Sequence, residues 1–240
     1  MADLTIVTMI WTGRRGYTLA HAAVVAKALA RHTTVPYRFV VLSDQVPSRG
    51  YPYEVLPFPQ AAAELTTLHF YRALDYPACL PKLWLLSTEA ETLGERLFYL
   101  DADTLVIKDL APILSYDTTA PFVGMTLGGQ FVASMYLQNT PGSLDWLWQR
   151  FLRDGRGPDL LPTTPKGDQQ WMRHYLGEGT FATWPQRALG IYLMKDIEVA
   201  RGRSTLPSDA RIIHPTGKVK PWEPLFLQRH PWAKEYYPWA

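Results

Sequence analysis

LTIVTMIWTGRRGYTLAHAAVVAKALARHTTVPYRFVVL, residues 4–42, decides the fold. Leu4 to Trp11 is apolar and rich in β-branched residues, and it stops at Thr12-Gly13-Arg14-Arg15-Gly16, a stretch that only a loop accommodates. Leu19, Ala22, Ala23, Ala26, Leu29 and Ala30 then recur at helical spacing, so the pattern predicts an amphipathic helix over Thr18 to His32 with Thr18 as its cap. Tyr37 to Leu42 reads as a second strand, ending at Ser43-Asp44. Strand, helix, strand is a βαβ opening, and 240 residues suit one α/β domain of generous size.

The same reading runs on down the chain. A short strand is expected around Glu54 to Leu56, a helix over Lys82 to Glu91, and a buried strand over Arg96 to Leu100 that leads straight into Asp101-Ala102-Asp103. Ligands of open α/β sheets gather at the carboxyl ends of strands, so these carboxylates stand where a site is expected. Phe122 to Met125 and Phe131 to Leu137 read as strands. Ser143 to Arg153 reads as a helix with Trp146, Leu147, Phe151 and Leu152 on its buried side. Asp159 to Lys166 is loop-like, Asp168 to Leu176 a short helix, and Phe181 to Trp184 and Arg211 to Ile213 further strands. From Pro221 onward prolines and aromatics alternate without periodicity. No linker splits the chain.

Composition narrows the partners. With 47% hydrophobic and 19% charged residues, the chain is neither disordered nor fibrous. A net charge of +2 lacks the concentrated basic stripe that nucleic-acid binding relies on. Cys79 is the one cysteine, which excludes an internal disulfide and points to a reducing, cytoplasmic setting with an inert buried thiol. No basic leader precedes the first apolar run, and no apolar stretch approaches the roughly 20 residues of a membrane span, so the expectation is a soluble or peripheral protein. Nine Trp and 13 Tyr suit a core, and flat rings also suit the apolar face of a sugar.

Two carboxylates one residue apart, just past a buried strand, can reach one hard cation, and Mg²⁺ or Mn²⁺ commonly bridges such groups to substrate phosphates. Asp-x-Asp alone also occurs in solvated turns. A neutral imidazole is an acceptable Mn²⁺ ligand, so His214 could complete the set. Gly217 permits close backbone approach to a diphosphate, and Lys220 supplies a point charge for its oxygens. His21, His32, His69, His174 and His230 read as ordinary core or surface residues.

The stretch Phe98 to Val106, containing Asp101-Ala102-Asp103, resembles the metal-binding segment of the glycogenin-like transferases, glycosyltransferase family eight. His214-Pro215-Thr216-Gly217-Lys218-Val219-Lys220-Pro221-Trp222 resembles that family's H-x-x-G-x-x-K-P-W signature, and Gly167-Asp168-Gln169 its G-D-Q turn. All three stand in the family's order. The resemblance implies a GT-A fold, α/β with a mixed, mainly parallel central sheet flanked by helices. It implies residues 1–110 as the nucleotide-binding half and 111–240 as the sugar- and acceptor-binding half of one domain.

It further implies a divalent metal, Mn²⁺ or Mg²⁺, on Asp101, Asp103 and His214, and a UDP-sugar donor held by Thr8, Met9, Trp11, Tyr17, Lys82, Ala102, Gly217 and Lys220. The expected reaction is retaining transfer of a hexose to a hydroxyl, with Asp168 and Gln169 beneath the sugar. Retention can proceed through a carboxylate nucleophile or by front-face attack; because an amide is a poor nucleophile, front-face attack is favoured. Where the family carries Asn-Ser/Ala-Gly in its sugar pocket, this chain has Val132-Ala133-Ser134. A glycan or lipid-linked saccharide is the first acceptor class, a protein hydroxyl the second and a hydroxylated DNA base a distant third. Nucleotidyl transfer, nucleotide-sugar hydrolysis and noncatalytic binding are the alternatives on the same fold.

Overall fold

A computed structural model describes residues 3–12, 16–47, 50–66, 79–117, 119–155, 167–177, 180–201, 205–215 and 219–237. The opening forms as the periodicity predicts: β1 (Leu4–Ile10), α1 (Leu19–His32) and β2 (Arg38–Ser43). Thr18 stands at the N-cap of α1, where its backbone N–H donates to His21 Nδ1 at 2.9 Å. β3 (Glu54–Pro57) and α2 (Gln60–Leu65) follow, and then β4 (Arg96–Leu100) and β5 (Leu105–Val106). After α3 (Ala111–Leu114) come β6 (Phe122–Leu127), β7 (Gln130–Gln138), α4 (Asp145–Asp154), α5 (Asp168–Tyr175) and β8 (Ala182–Thr183). The chain continues with β9 (Ile191–Leu193), α6 (Met194–Arg201), β10 (Ile212–His214) and α7 (Pro224–Arg229).

Seven strands form the central sheet in the order β3-β2-β1-β4-β7-β6-β8, with every neighbouring pair parallel except those made by β7. This is the mixed, mainly parallel sheet that was expected. β1 is buried along its whole length, as a strand covered on both faces must be. Val7, Met9, Val40, Leu97 and Tyr99 face a core closed by residues 80–93, α4 and α5. Ile6, Ile10, Val41, Phe98 and Leu100 face a second core closed by α1 and α3. A separate three-stranded sheet, β5-β10-β9, packs with α7 and Tyr237.

Two elements and one residue depart from their sequence reading. Residues 82–91 form no α-helix; two 3-10 helices, Leu80–Leu86 and Thr88–Leu93, flank Ser87, whose extended backbone breaks the run. In α4 the buried side carries Leu147, Trp148 and Phe151, while Trp146 is 45% exposed. Trp146 and Trp148 are two residues, about 200° of helical turn, apart, so they cannot share a face. Cys79 is half-buried rather than enclosed. Asp159 to Lys166 lies outside the described residues.

The β6–β7 hairpin shapes the carboxyl edge of the sheet. Gly128 and Gly129 close it at positive φ, the two-residue turn that matches strand twist. Pairing then shifts between Gly124 and Met125: Gly124 faces Tyr136, but Met125 faces Val132, so residues 133–135 bulge from β6, with Met135 opposite Leu100 of β4. Gly124 is required there, because a Cβ would lie 2.5 Å from the Phe131 ring. No helix among the described residues is long and apolar enough to cross a membrane.

Candidate functional site

β4 delivers its last residue, Leu100, to the carboxyl edge, where the chain turns. The Asp101 N–H donates to Ser134 O on the β7 bulge, and the Thr104 N–H closes the turn onto Asp101 O, both at 3.0 Å. β5 then pairs antiparallel with β10, Leu105 opposite Ile213, so the next residue of β10, His214, comes beside Thr104 and Asp103. A two-residue strand thus joins groups 111 to 113 positions apart in sequence. Asp101, Asp103 and His214 are all buried, and each offers a ligand atom within 4.8 Å of the other two.

Asp103 Oδ1 and His214 Nδ1 are buried polar atoms without a hydrogen-bond partner among the described residues. Leaving such atoms unsatisfied costs about 1–3 kcal/mol each, more for a charged group, so the arrangement calls for a cation. Burial lowers the His214 pKa more than the two carboxylates raise it, keeping the imidazole neutral and able to donate a lone pair. Burial, and with it the neighbouring Asp101, pushes the Asp103 carboxyl up, but the charge and hydrogen bond of Lys220 hold the group below its ordinary value, ionised. Two carboxylates and an imidazole fit a divalent metal.

Two lysines flank the carboxylates. Lys220 Nζ lies 2.7 Å from Asp103 Oδ2, and the Tyr17 hydroxyl donates to the same oxygen at 2.9 Å. Lys82 Nζ lies 2.8 Å from Asp101 Oδ1 and 3.4 Å from Asp168 Oδ2. Burial opposes the Lys82 charge, yet Asp101, Tyr99 and Asp168 together hold its pKa well above the ordinary lysine value. Lys82 is 5% exposed and joins Asp101 to Asp168, the first residue of α5. Asp168 at that helix start also gains from the α5 dipole.

Removing the Lys82 ammonium leaves two buried carboxylates with no cation between them. Lys82→Met is expected to cost about 3–5 kcal/mol and to lower Tm by on the order of 10 °C, checked by thermal shift. An unchanged Tm contradicts the electrostatic role given to Lys82.

An aromatic group backs the site. Trp222 packs edge-on to Tyr17 at 5.1 Å and lies over His21 at 4.0 Å, which explains physically why a Trp closes the segment that begins at His214. Tyr237, 1% exposed, donates its hydroxyl to Ala102 O at 3.2 Å. Tyr99 donates to Asp101 Oδ1 at 2.6 Å. Neither Tyr99 nor Tyr237 stands out in sequence. Tyr99 had a usable signal, two residues before Asp101 on one strand; Tyr237, 135 residues from Ala102, had none.

The remaining sequence candidates divide. Thr8 and Met9 are wholly buried in β1, and Trp11 is 3% exposed and packs edge-on against Phe58 at 5.9 Å. The side chains of Met9 and Trp11 belong to the core. Just beyond, the Thr12 N–H is held by both oxygens of Asp44, at 2.8 and 3.1 Å. Ala102 is enclosed between the two Asp residues, Gln169 is half-buried in the first turn of α5, and Gly217 lies outside the described residues.

Solved structures share this architecture. An active-site mutant of LgtC aligns with a TM-score of 0.66 at 17% identity, covering 98% of this chain and 95% of that one. The galactosyltransferase LgtC in complex with donor and acceptor sugar analogues aligns with a TM-score of 0.63 at 17% identity, covering 98% and 94%. The glycosyltransferase GlyE of Streptococcus pneumoniae TIGR4 aligns with a TM-score of 0.61 at 14% identity, covering 97% of this chain and 60% of that one. No family model and no curated protein matches the sequence. The fold is that of GT-A glycosyltransferases, as the motif resemblance implied.

Proposed function

We propose that the chain is a metal-dependent, retaining hexosyltransferase of family-eight type that moves a hexose from a UDP-sugar to a saccharide hydroxyl. One observation carries the reading: Asp101, Asp103 and His214 converge at the carboxyl edge of a glycosyltransferase fold, with two of their polar atoms buried and unpartnered. These three residues would hold Mn²⁺ or Mg²⁺. When bound, the cation neutralises charge that builds on a departing diphosphate.

The chain's own residues supply the rest. Lys220, now on Asp103, would exchange that carboxylate for a diphosphate oxygen, and its Nζ lies over the Tyr17 ring, 5.7 Å from the centroid. Lys82 fixes the relative position of Asp101 and Asp168, so the metal end and the sugar end of the site are set by one buried ammonium. Asp168 and Gln169 stand under the anomeric carbon, where carboxylate and amide oxygens favour the positive charge of an oxocarbenium-like transition state. In front-face attack the acceptor oxygen bonds to the anomeric carbon as the bond to phosphate breaks, and the acceptor proton passes to the leaving phosphate. The donor half, 1–110, the acceptor half, 111–240, and a cytoplasmic setting belong to the same proposal.

The test is a panel of UDP-hexoses assayed for UDP and for hexose 1-phosphate with Mn²⁺. Release of UDP without hexose 1-phosphate, dependent on an added saccharide, is the expected result. Hexose 1-phosphate release points to nucleotidyl transfer, and no release from any donor contradicts a transferase.

A further inference from the structure

Arg173 stands in the last turn of α5, four residues after Gln169. Positions four apart share a helix face at roughly 5–6 Å, so Arg173 lies one turn from the residue placed under the transferred sugar. Its Nε–H donates to Phe131 O at 2.6 Å, which fixes the guanidinium against β7. A guanidinium carries five N–H donors, and this is the one acceptor Arg173 has among the described residues. No carboxylate among them pairs with it. Burial pulls its pKa down with nothing raising it, the mark of a half-buried cation short of an anion.

Arg173 faces a cavity of about 360 Å³ walled also by Gly129 and Gln130 of the hairpin and by Phe181 and Thr183 before and in β8. No acidic residue among the described residues lines it. Phe181 is held edge-on to Phe131 at 5.3 Å and offers an apolar surface, while Gln130 and Thr183 offer an amide and a hydroxyl. The cavity is tied to the Asp pair by β7. Beyond Met135, which pairs with Leu100, β7 projects five residues past the end of β4, roughly 17 Å of strand. One end of that projection accepts the Asp101 N–H at Ser134, and the other carries Phe131 and Gln130.

We infer that this cavity is a subsite for the acceptor saccharide, in which Arg173 binds an anionic group of the acceptor, a carboxylate or a phosphate, while Phe181 backs the sugar ring. The inference rests on the transferase reading above and adds the charge of the acceptor. Guanidinium matches either oxyanion bidentately, so the chemistry is shared and the source is left to experiment.

The experiment is calorimetry on protein saturated with Mn²⁺ and UDP, titrated in turn with glucuronate, glucose 6-phosphate and glucose. At least one acidic sugar should bind about tenfold or more tighter than glucose, and which one does so identifies carboxylate or phosphate. Arg173→Gln should abolish that advantage. Gln130→Glu, an exposed hairpin position where the new carboxylate faces Arg173, should do the same without touching the Phe131 contact. Equal affinity for glucose and both acids, no acidic-sugar binding, or a preference that survives both substitutions overturns the inference. Failure of UDP itself to bind with Mn²⁺ overturns the transferase reading instead.

Discussion

Asp103→Ala should lose measurable Mn²⁺ affinity and drop sugar transfer by roughly three orders of magnitude. A metal on the leaving diphosphate contributes several kcal/mol to the transition state, and each factor of ten in rate is about 1.4 kcal/mol. Asp103 also accepts from Tyr17 and pairs with Lys220, both largely buried. Alanine therefore strands a cation as well as removing a ligand, and some loss of stability should accompany the loss of metal. Asp103→Asn separates the two effects, since the amide oxygen still accepts from Tyr17 while the charge that draws the metal is gone. Electron paramagnetic resonance of Mn²⁺ reads binding and thermal shift reads stability. Full transfer by Asp103→Ala contradicts the site.

Asp168→Asn tests the other half. Asn keeps the shape and removes the charge, and Lys82 retains Asp101 as a partner, so the fold should hold. Turnover should fall by on the order of 10²–10³, the usual loss when one preorganised electrostatic contact to a transition state is removed. UDP affinity should stay within about threefold, because the place proposed for Asp168 is at the sugar and not at the diphosphate. That split, kcat without Kd, is what distinguishes transition-state stabilisation from binding. Equal losses in both would assign Asp168 to the donor site and leave the anomeric carbon without its carboxylate.

What sequence could and could not reveal follows from how far each signal reaches. β1, α1, β2 and β4 announce themselves through local periodicity, and the residue after β4 inherits its position from the strand. The grouping of Asp101, Asp103 and His214 was legible because short motifs named all three, but the reason for it, pairing of β5 with β10, was not. β10 was expected as a strand, but the two-residue β5 carries no period to detect, so its partner could not be named. β9 and α6 were missed for a related cause: Leu193 ends one and Met194 begins the other, so two patterns merge into one apolar run.

Residues 80–93 misled because Leu80, Leu83, Trp84 and Leu86 mimic a helical face, while Pro81 and the extended Ser87 keep the backbone in short 3-10 turns. That geometry matters to the site, since Lys82 projects inward from the first of those turns instead of outward from a surface helix. Trp11 was expected at the donor by resemblance, and its ring packs in the core. Tyr237 and Arg173 lay beyond sequence altogether, for each acquires its role from a tertiary contact, with Ala102 in one case and Phe131 in the other.

The central claim is that the buried Asp-Asp-His cluster holds a divalent cation for a uridine diphosphate. Calorimetric titration of the wild-type protein with UDP, in Mn²⁺ and then in excess chelator, tests it most directly. Saturable binding in Mn²⁺ that disappears with chelator and returns when Mn²⁺ is restored is the expected result. UDP binding of equal strength in both conditions, or none in either, would contradict it.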